Sequence, residues 1–142
     1  MQRLNPYIHF NGNAEEAFQF YKSVFGGKFS TIIRFKDVKA IQSTISKKEE
    51  NKIMQISLHI AENTFLMGSD VPEFMGRINE RENRSKISVY AESKPEAERL
   101  FKSLSINGEI EVPFNENEDG SFFGMFRDQF GIEWMINFNS KN

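Results

Sequence analysis

The sequence predicts an α+β fold made of two βαβββ modules, on three observations. Strand-like runs rich in β-branched and aromatic residues recur along the chain, each set is interrupted by one amphipathic helical stretch, and the second half repeats the grammar of the first. At 142 residues, 39% of them hydrophobic with fifteen Phe and one Trp, the chain is long enough for one shared core and too short for a separate regulatory domain.

The elements follow in order. Leu4 to Phe10 reads as a strand, and Asn13 stands before AEEAFQFYKSVFGG with Glu16 three residues on, a capping-box arrangement. Ala14, Phe18, Tyr21 and Phe25 form one helical stripe, and Gly26-Gly27 supplies a helix stop. Phe29 to Phe35, Ile53 to Ile60 and Thr64 to Gly68 read as three strands. The charged SKKEENK from Ser46 suits a solvated hairpin tip between the first two of them.

A polar stretch from Arg77, RINERENRSK, links this module (1–76) to the next (86–142) within a single domain spanning 1–142. There a strand from Ile87 to Ala91 precedes Ser93 and KPEAERLFKSLSING, with Pro95 in the first turn, Glu96 completing a second capping box and Asn107-Gly108 as the stop. Glu16-Ala17 recurs as Glu96-Ala97 and Lys22-Ser23 as Lys102-Ser103, which marks an internal repeat. Glu109 to Pro113, Phe122 to Arg127 and Ile132 to Phe138 complete the second set of strands, with a turn at Asp128 to Gly131.

Composition excludes several classes of function. A net charge of −2 with both signs interspersed builds no positive field for a phosphate backbone, so no nucleic-acid partner is expected. With no cysteine there is no disulfide, thiolate nucleophile or Cys-type zinc site. No window approaches the roughly 18 to 20 apolar residues of a membrane span, and the start MQRLNPYIHFNGN has no apolar leader, so a cytoplasmic protein with no membrane partner is expected.

The segments LNPYIHFNGNAEEAFQFYKSVFGG, TFLMGSD, SKPEAERLFKSLSINGEIEVPF and FFGMFRDQFGIEWMINF, which together cover nearly the whole chain, resemble the PhnB-like branch of the glyoxalase/bleomycin-resistance (vicinal oxygen chelate) superfamily. Some members carry a demethylubiquinone methyltransferase label. The resemblance implies that each module forms a mixed half-barrel sheet, that the concave faces enclose a small-molecule cavity, and that chains pair as homodimers. Methyl transfer of the common adenosyl-methionine type would need a Gly-rich strand-to-helix turn in a parallel sheet, and the sequence contains none.

In metal-dependent relatives the ligands come from the first and last strands of each module. Alignment through the helices puts Asn5 and Lys86 at the first-strand positions, Met135 at a last-strand position and Met67 at its partner. An ammonium, an amide and two thioethers are poor donors for the divalent ions such sites hold, so no metal and no cofactor are expected.

Strand alternation extends the candidate lining. Asn5 brings Tyr7 and His9, Lys86 brings Ser88 and Tyr90, and Met135 brings Glu133 and Asn137, while Gln55, Ser57 and His59 oppose an apolar set on their strand. Such a lining suits a small organic ligand carrying some oxygen or charge. His9, His59 and Glu133 are the candidates for acid–base chemistry, because imidazole titrates near neutrality and a carboxylate can orient it; the alternative is that each His is simply hydrogen-bonded on a half-buried or exposed sheet surface. Trp134 is out of phase with Met135 and reads as core. Arg127 and Asp128 read as turn-stabilising, with an anion clamp the other role open to Arg127. The leading expectation is a metal-free small-molecule binder of unknown ligand, with sequestration or resistance as analogies; the alternative is a superfamily lyase, isomerase or dioxygenase.

Overall fold

The computed structural model describes residues 1–140, which fall into two compact units, the first ending at Ile78 and the second beginning at Asn79. In the first, β1 (Tyr7–Phe10), α1 (Ala14–Phe25), β2 (Lys28–Arg34), β3 (Ile53–Ala61) and β4 (Thr64–Asp70) follow in sequence. The sheet order is β1-β4-β3-β2, with β1 parallel to β4 and the other pairs antiparallel. In the second, β5 (Ile87–Tyr90), α2 (Lys94–Leu104), β6 (Glu109–Glu116), β7 (Phe122–Arg127) and β8 (Glu133–Phe138) repeat that topology as β5-β8-β7-β6. The repeat read from the helices is thus a repeat of whole βαβββ modules.

Each sheet buries one face beneath its helix. Ala14, Ala17, Phe18, Tyr21 and Val24 of α1 are buried together with Phe10, Ile56, Leu58 and Leu66 of the strands. Each large side chain so covered contributes roughly 1.5–3 kcal/mol. Ala97, Leu100, Phe101 and Leu104 of α2 do the same with Phe126, Trp134 and Ile136. Both helices approach their sheets at a glycine: a Cβ at Gly68 would lie 2.6 Å from the Ile8 carbonyl and 2.9 Å from the Phe18 ring, and one at Gly124 would lie 2.6 Å from the Phe101 ring. An alanine at either place would have to push an aromatic ring off the sheet.

Three expectations need correction. The first capping box is not made: Asn13 offers no side-chain bond to the helix, and the Ala14 N–H donates instead to Asp70 Oδ1 at 2.9 Å. The other oxygen of Asp70 accepts from Ile53 N–H at 2.9 Å, so one buried carboxylate at the end of β4 fixes the starts of both α1 and β3. A nearby cap was outcompeted by a carboxylate distant in sequence.

The first strand starts at Tyr7 rather than Leu4, because Pro6 has no N–H for the ladder; only its carbonyl pairs, accepting from Met67 N–H at 3.1 Å. Asn5 therefore precedes the strand. Finally, β2 and β3 are joined by short 3-10 turns between Phe35 and Glu49, not by a plain hairpin tip. At α2, Ser93 caps as expected, accepting from Glu96 N–H at 3.2 Å, while the Glu96 carboxylate reaches back to Glu92 N–H at 2.9 Å.

Asp70→Ala leaves two buried N–H groups without acceptors, so urea unfolding should show a loss of roughly 2–5 kcal/mol, and a loss below about 1 kcal/mol would mean that the carboxylate does not organise the unit.

Candidate functional site

In the first unit the face away from α1 carries the sequence-derived candidates, and the register fixes their neighbours. Tyr7 lies opposite Met67 and His9 opposite Ser69 across β1 and β4, while Ser57 lies opposite Met67 and His59 opposite Phe65 across β3 and β4. Gln55 faces Ile33 of β2. The Asn5 amide is 3.6 Å from Met67 Sδ, just before the strand. Tyr7 and His9 are exposed, their ring centroids 5.5 Å apart.

The two histidines share this face without meeting. His9 Nδ1 is 3.0 Å from Ser69 Oγ, and Ser69 is almost fully buried. His59 stacks on Phe65 with centroids 4.3 Å apart, and its Nε2 is 3.1 Å from the Glu62 carbonyl in the β3–β4 turn. Their partners Ser69 and Phe65 are four residues apart on β4, about 13 Å along a strand. The Arg3 guanidinium lies 3.9 Å from the Phe65 centroid, completing a cation–ring–ring stack. Sequence reasoning missed Phe65, Ser69 and Arg3. Phe65 and Ser69 were findable, since they alternate with Leu66 and Gly68 on β4 and so share the face of Met67.

In the second unit the face away from α2 holds Ser88, Tyr90, Glu133 and Met135. Ser88 lies opposite Met135 and Tyr90 opposite Asn137, with the Asn137 amide donating to Ser88 Oγ at 3.1 Å. Tyr90 is 70% exposed, whereas the Glu133 side chain is 1% exposed. A carboxylate so deep requires cations, and two are present. Arg127 Nη2 is 2.9 Å from Glu133 Oε1, and Lys86 Nζ is 3.3 Å from Oε2. Lys86, immediately before β5, also lies 3.8 Å from Glu111 on β6. A hydrogen bond with Glu133, then burial, holds the Glu111 carboxyl above the usual carboxylate range. Glu111 was missed, although EIEV alternates acids with apolar residues, because the register of β6 slips between Ile110 and Val112.

Arg127 is structural rather than a free anion clamp. Its Nη1 donates to the carbonyls of Glu80, Glu82 and Gly131, and its Nη2 to that of Arg81, at 2.8 to 3.3 Å. These bonds pin the polar stretch after Asn79 to the second unit. Asp128 accepts from the N–H groups of Phe130 and Ile132 and from Trp134 Nε1, which is 2.9 Å away, so Trp134 is core with its polar edge satisfied.

The four residues that the sequence alignment sets at ligand positions are poor donors for a divalent metal. Asn5 and Met67 supply an amide and a thioether, Met135 a second thioether, and the Lys86 ammonium is committed to carboxylates. Among the described residues no three His, Asp or Glu converge on a point.

Arg127→Met strips Glu133 of its nearer cation and should cost about 3–5 kcal/mol in chemical denaturation. The double variant Arg127→Met/Glu133→Gln should recover a substantial part of that loss; strictly additive losses would show that the two charges do not interact.

Comparison with known proteins agrees with this architecture. The family described as 3-demethylubiquinone-9 3-methyltransferase matches residues 2–137. Protein PA1353 from Pseudomonas aeruginosa is 33% identical, with 98% of each chain covered and a TM-score of 0.83. A Bacillus cereus structure described as a putative 3-demethylubiquinone-9 3-methyltransferase, PhnB protein, is 21% identical over 97% of this chain and 100% of that one, with a TM-score of 0.74. A glyoxalase/bleomycin resistance protein/dioxygenase family enzyme from Burkholderia phytofirmans shares the fold at 13% identity, 93% and 95% coverage and a TM-score of 0.58. With the family model spanning nearly its whole length, the chain belongs to the family described as 3-demethylubiquinone-9 3-methyltransferase, and its fold is that of the glyoxalase/bleomycin resistance protein/dioxygenase family structure.

Proposed function

We propose that this protein binds a small organic molecule without the help of a metal, using the sheet face of the first unit turned away from α1. One observation supports this reading above others: aromatic, thioether and hydroxyl groups gather there, and both histidines are held by neutral partners, Ser69 Oγ and the Glu62 carbonyl. A general base is normally oriented by a carboxylate, whereas the imidazoles of His9 and His59 are held by a hydroxyl and a carbonyl. Tyr7, His9 and Met67 offer a ring, a donor or acceptor and a polarisable surface side by side, which suits a flat ligand bearing oxygen.

The family's methyltransferase description is not carried over, since the connections from β1 to α1 and from β5 to α2, NGN and AES, lack the Gly-rich turn that such cofactors occupy.

The test is a thermal-shift screen of aromatic and carbonyl-bearing metabolites, run before and after treatment with EDTA, with elemental analysis of protein exposed to Mn, Fe, Co, Ni and Zn and then desalted. A ligand present at about 100 times its Kd adds roughly 2.7 kcal/mol to apparent stability, so a true binder raises Tm. The expected result is a hit that EDTA leaves unchanged and that His9→Ala or Met67→Ala weakens, with bound metal far below one ion per chain. Stoichiometric metal, or a hit abolished by EDTA, overturns the proposal.

A further inference from the structure

On the open face of the second sheet, charged groups from every strand position meet around Glu133. Lys86 comes from the entry to β5, Glu111 and Glu109 from β6, Arg127 from β7 and Glu133 from β8, while Arg81 pairs with Glu109 at the rim at 2.9 and 3.0 Å. Two carboxylates therefore converge on one ammonium, since Lys86 Nζ is 3.3 Å from Glu133 and 3.8 Å from Glu111.

The bonding of Arg127 leaves a deficit. Its Nη2 is 2.9 Å from Glu133 Oε1, but that nitrogen donates to the Arg81 carbonyl, so Oε1 is buried without an aligned donor among the described residues. A buried acceptor in that condition is costly, and a proton on a neighbouring carboxyl would supply the missing donor. Glu111 reaches over β7 toward Glu133, and its side chain is 35% exposed while that of Glu133 is 1% exposed. One carboxyl of the pair can therefore meet a ligand, and the other cannot.

We propose that Glu111, the exposed member of a carboxyl pair with Glu133 around the Lys86 ammonium, is a proton-donating site for a ligand carrying a carboxylate or enolate oxygen. In the transfer the O–H bond of Glu111 breaks, the proton joins the ligand oxygen, and the charge left on Glu111 faces the Lys86 ammonium. The hydrogen bond with Glu133 is the main cause that raises the Glu111 carboxyl above the ordinary carboxylate range; burial and the like charge of Glu133 act in the same direction, and Lys86 and Arg127 oppose them. Pairs of titratable groups separated in this way are a recurrent device for acid–base chemistry near neutral pH.

This inference goes beyond the binding reading, and its first test needs no ligand, so the two can fail separately. Glu carboxyl carbons of the full-length chain are followed by NMR against pH. One resonance should titrate above the usual Glu range, vanish in Glu111→Gln and fall back in Glu133→Gln. Should Glu133→Gln not fold, Lys86→Met serves in its place, moving the same resonance further upward. With a raised native value, the stabilisation from Glu111 is present in acid and lost as pH rises through that value, and Glu111→Gln should remove this dependence. A Glu111 carboxyl titrating in the ordinary range overturns the proposal. Benzoate is the probe of donation: its binding should weaken at least tenfold as Glu111 deprotonates, while that of benzamide stays constant. Equal pH profiles, or no benzoate binding, would remove the ligand assignment.

Discussion

A strand can press only every second residue against a helix, and in both units this single constraint sorts the chain into scaffold and surface. Ile56, Leu58, Leu66 and Gly68 meet α1, and Phe126, Gly124, Trp134 and Ile136 meet α2. The residues between them face away: Tyr7, His9, Ser57, His59 and Met67 in one unit, Ser88, Tyr90, Glu133 and Met135 in the other. Packing one face so tightly that glycine is needed beneath Phe18 and Phe101 fixes the register, and with it the placement of everything on the opposite face.

The two open faces differ in their chemistry despite a shared topology. The first is mainly aromatic, its two imidazoles held by a hydroxyl and a carbonyl and its Phe65 ring covered by the Arg3 guanidinium. The second is ionic, arranged around the carboxylate of Glu133 and the guanidinium of Arg127. Four carbonyls from two segments of chain accept from Arg127, so one side chain both neutralises Glu133 and ties down the stretch from Glu80 to Glu82. The two units thus share their topology and packing and differ on the faces where packing imposes nothing.

Most of the architecture was legible in the sequence, because helical stripes, strand alternation and the likeness of the two helices are local patterns. The capping of α2 by Ser93 and the burial of Trp134 follow from the same local rules. What escaped was set by residues far apart in the chain. Asp70 displaced Asn13 as the partner of the first helical N–H, and Arg127 bound a stretch that read as a free linker. Phe65 and Ser69 could have been found by extending the alternation around Met67, whereas Glu111 sits at a register slip where counting by twos loses its meaning. His9, His59 and Glu133 were grouped by residue type; the two histidines turn out to be held apart along β4, and Glu133 is bound to cations of its own unit.

On the proposed reading, the sheet face turned away from α1 receives the ligand. Chemical-shift mapping with the compound that stabilises the protein most tests it directly. The largest shifts should fall on Tyr7, His9, Ser57 and Met67, and the outer surface of α1 should stay silent. Shifts concentrated on the helices, with that sheet face unmoved, would contradict it.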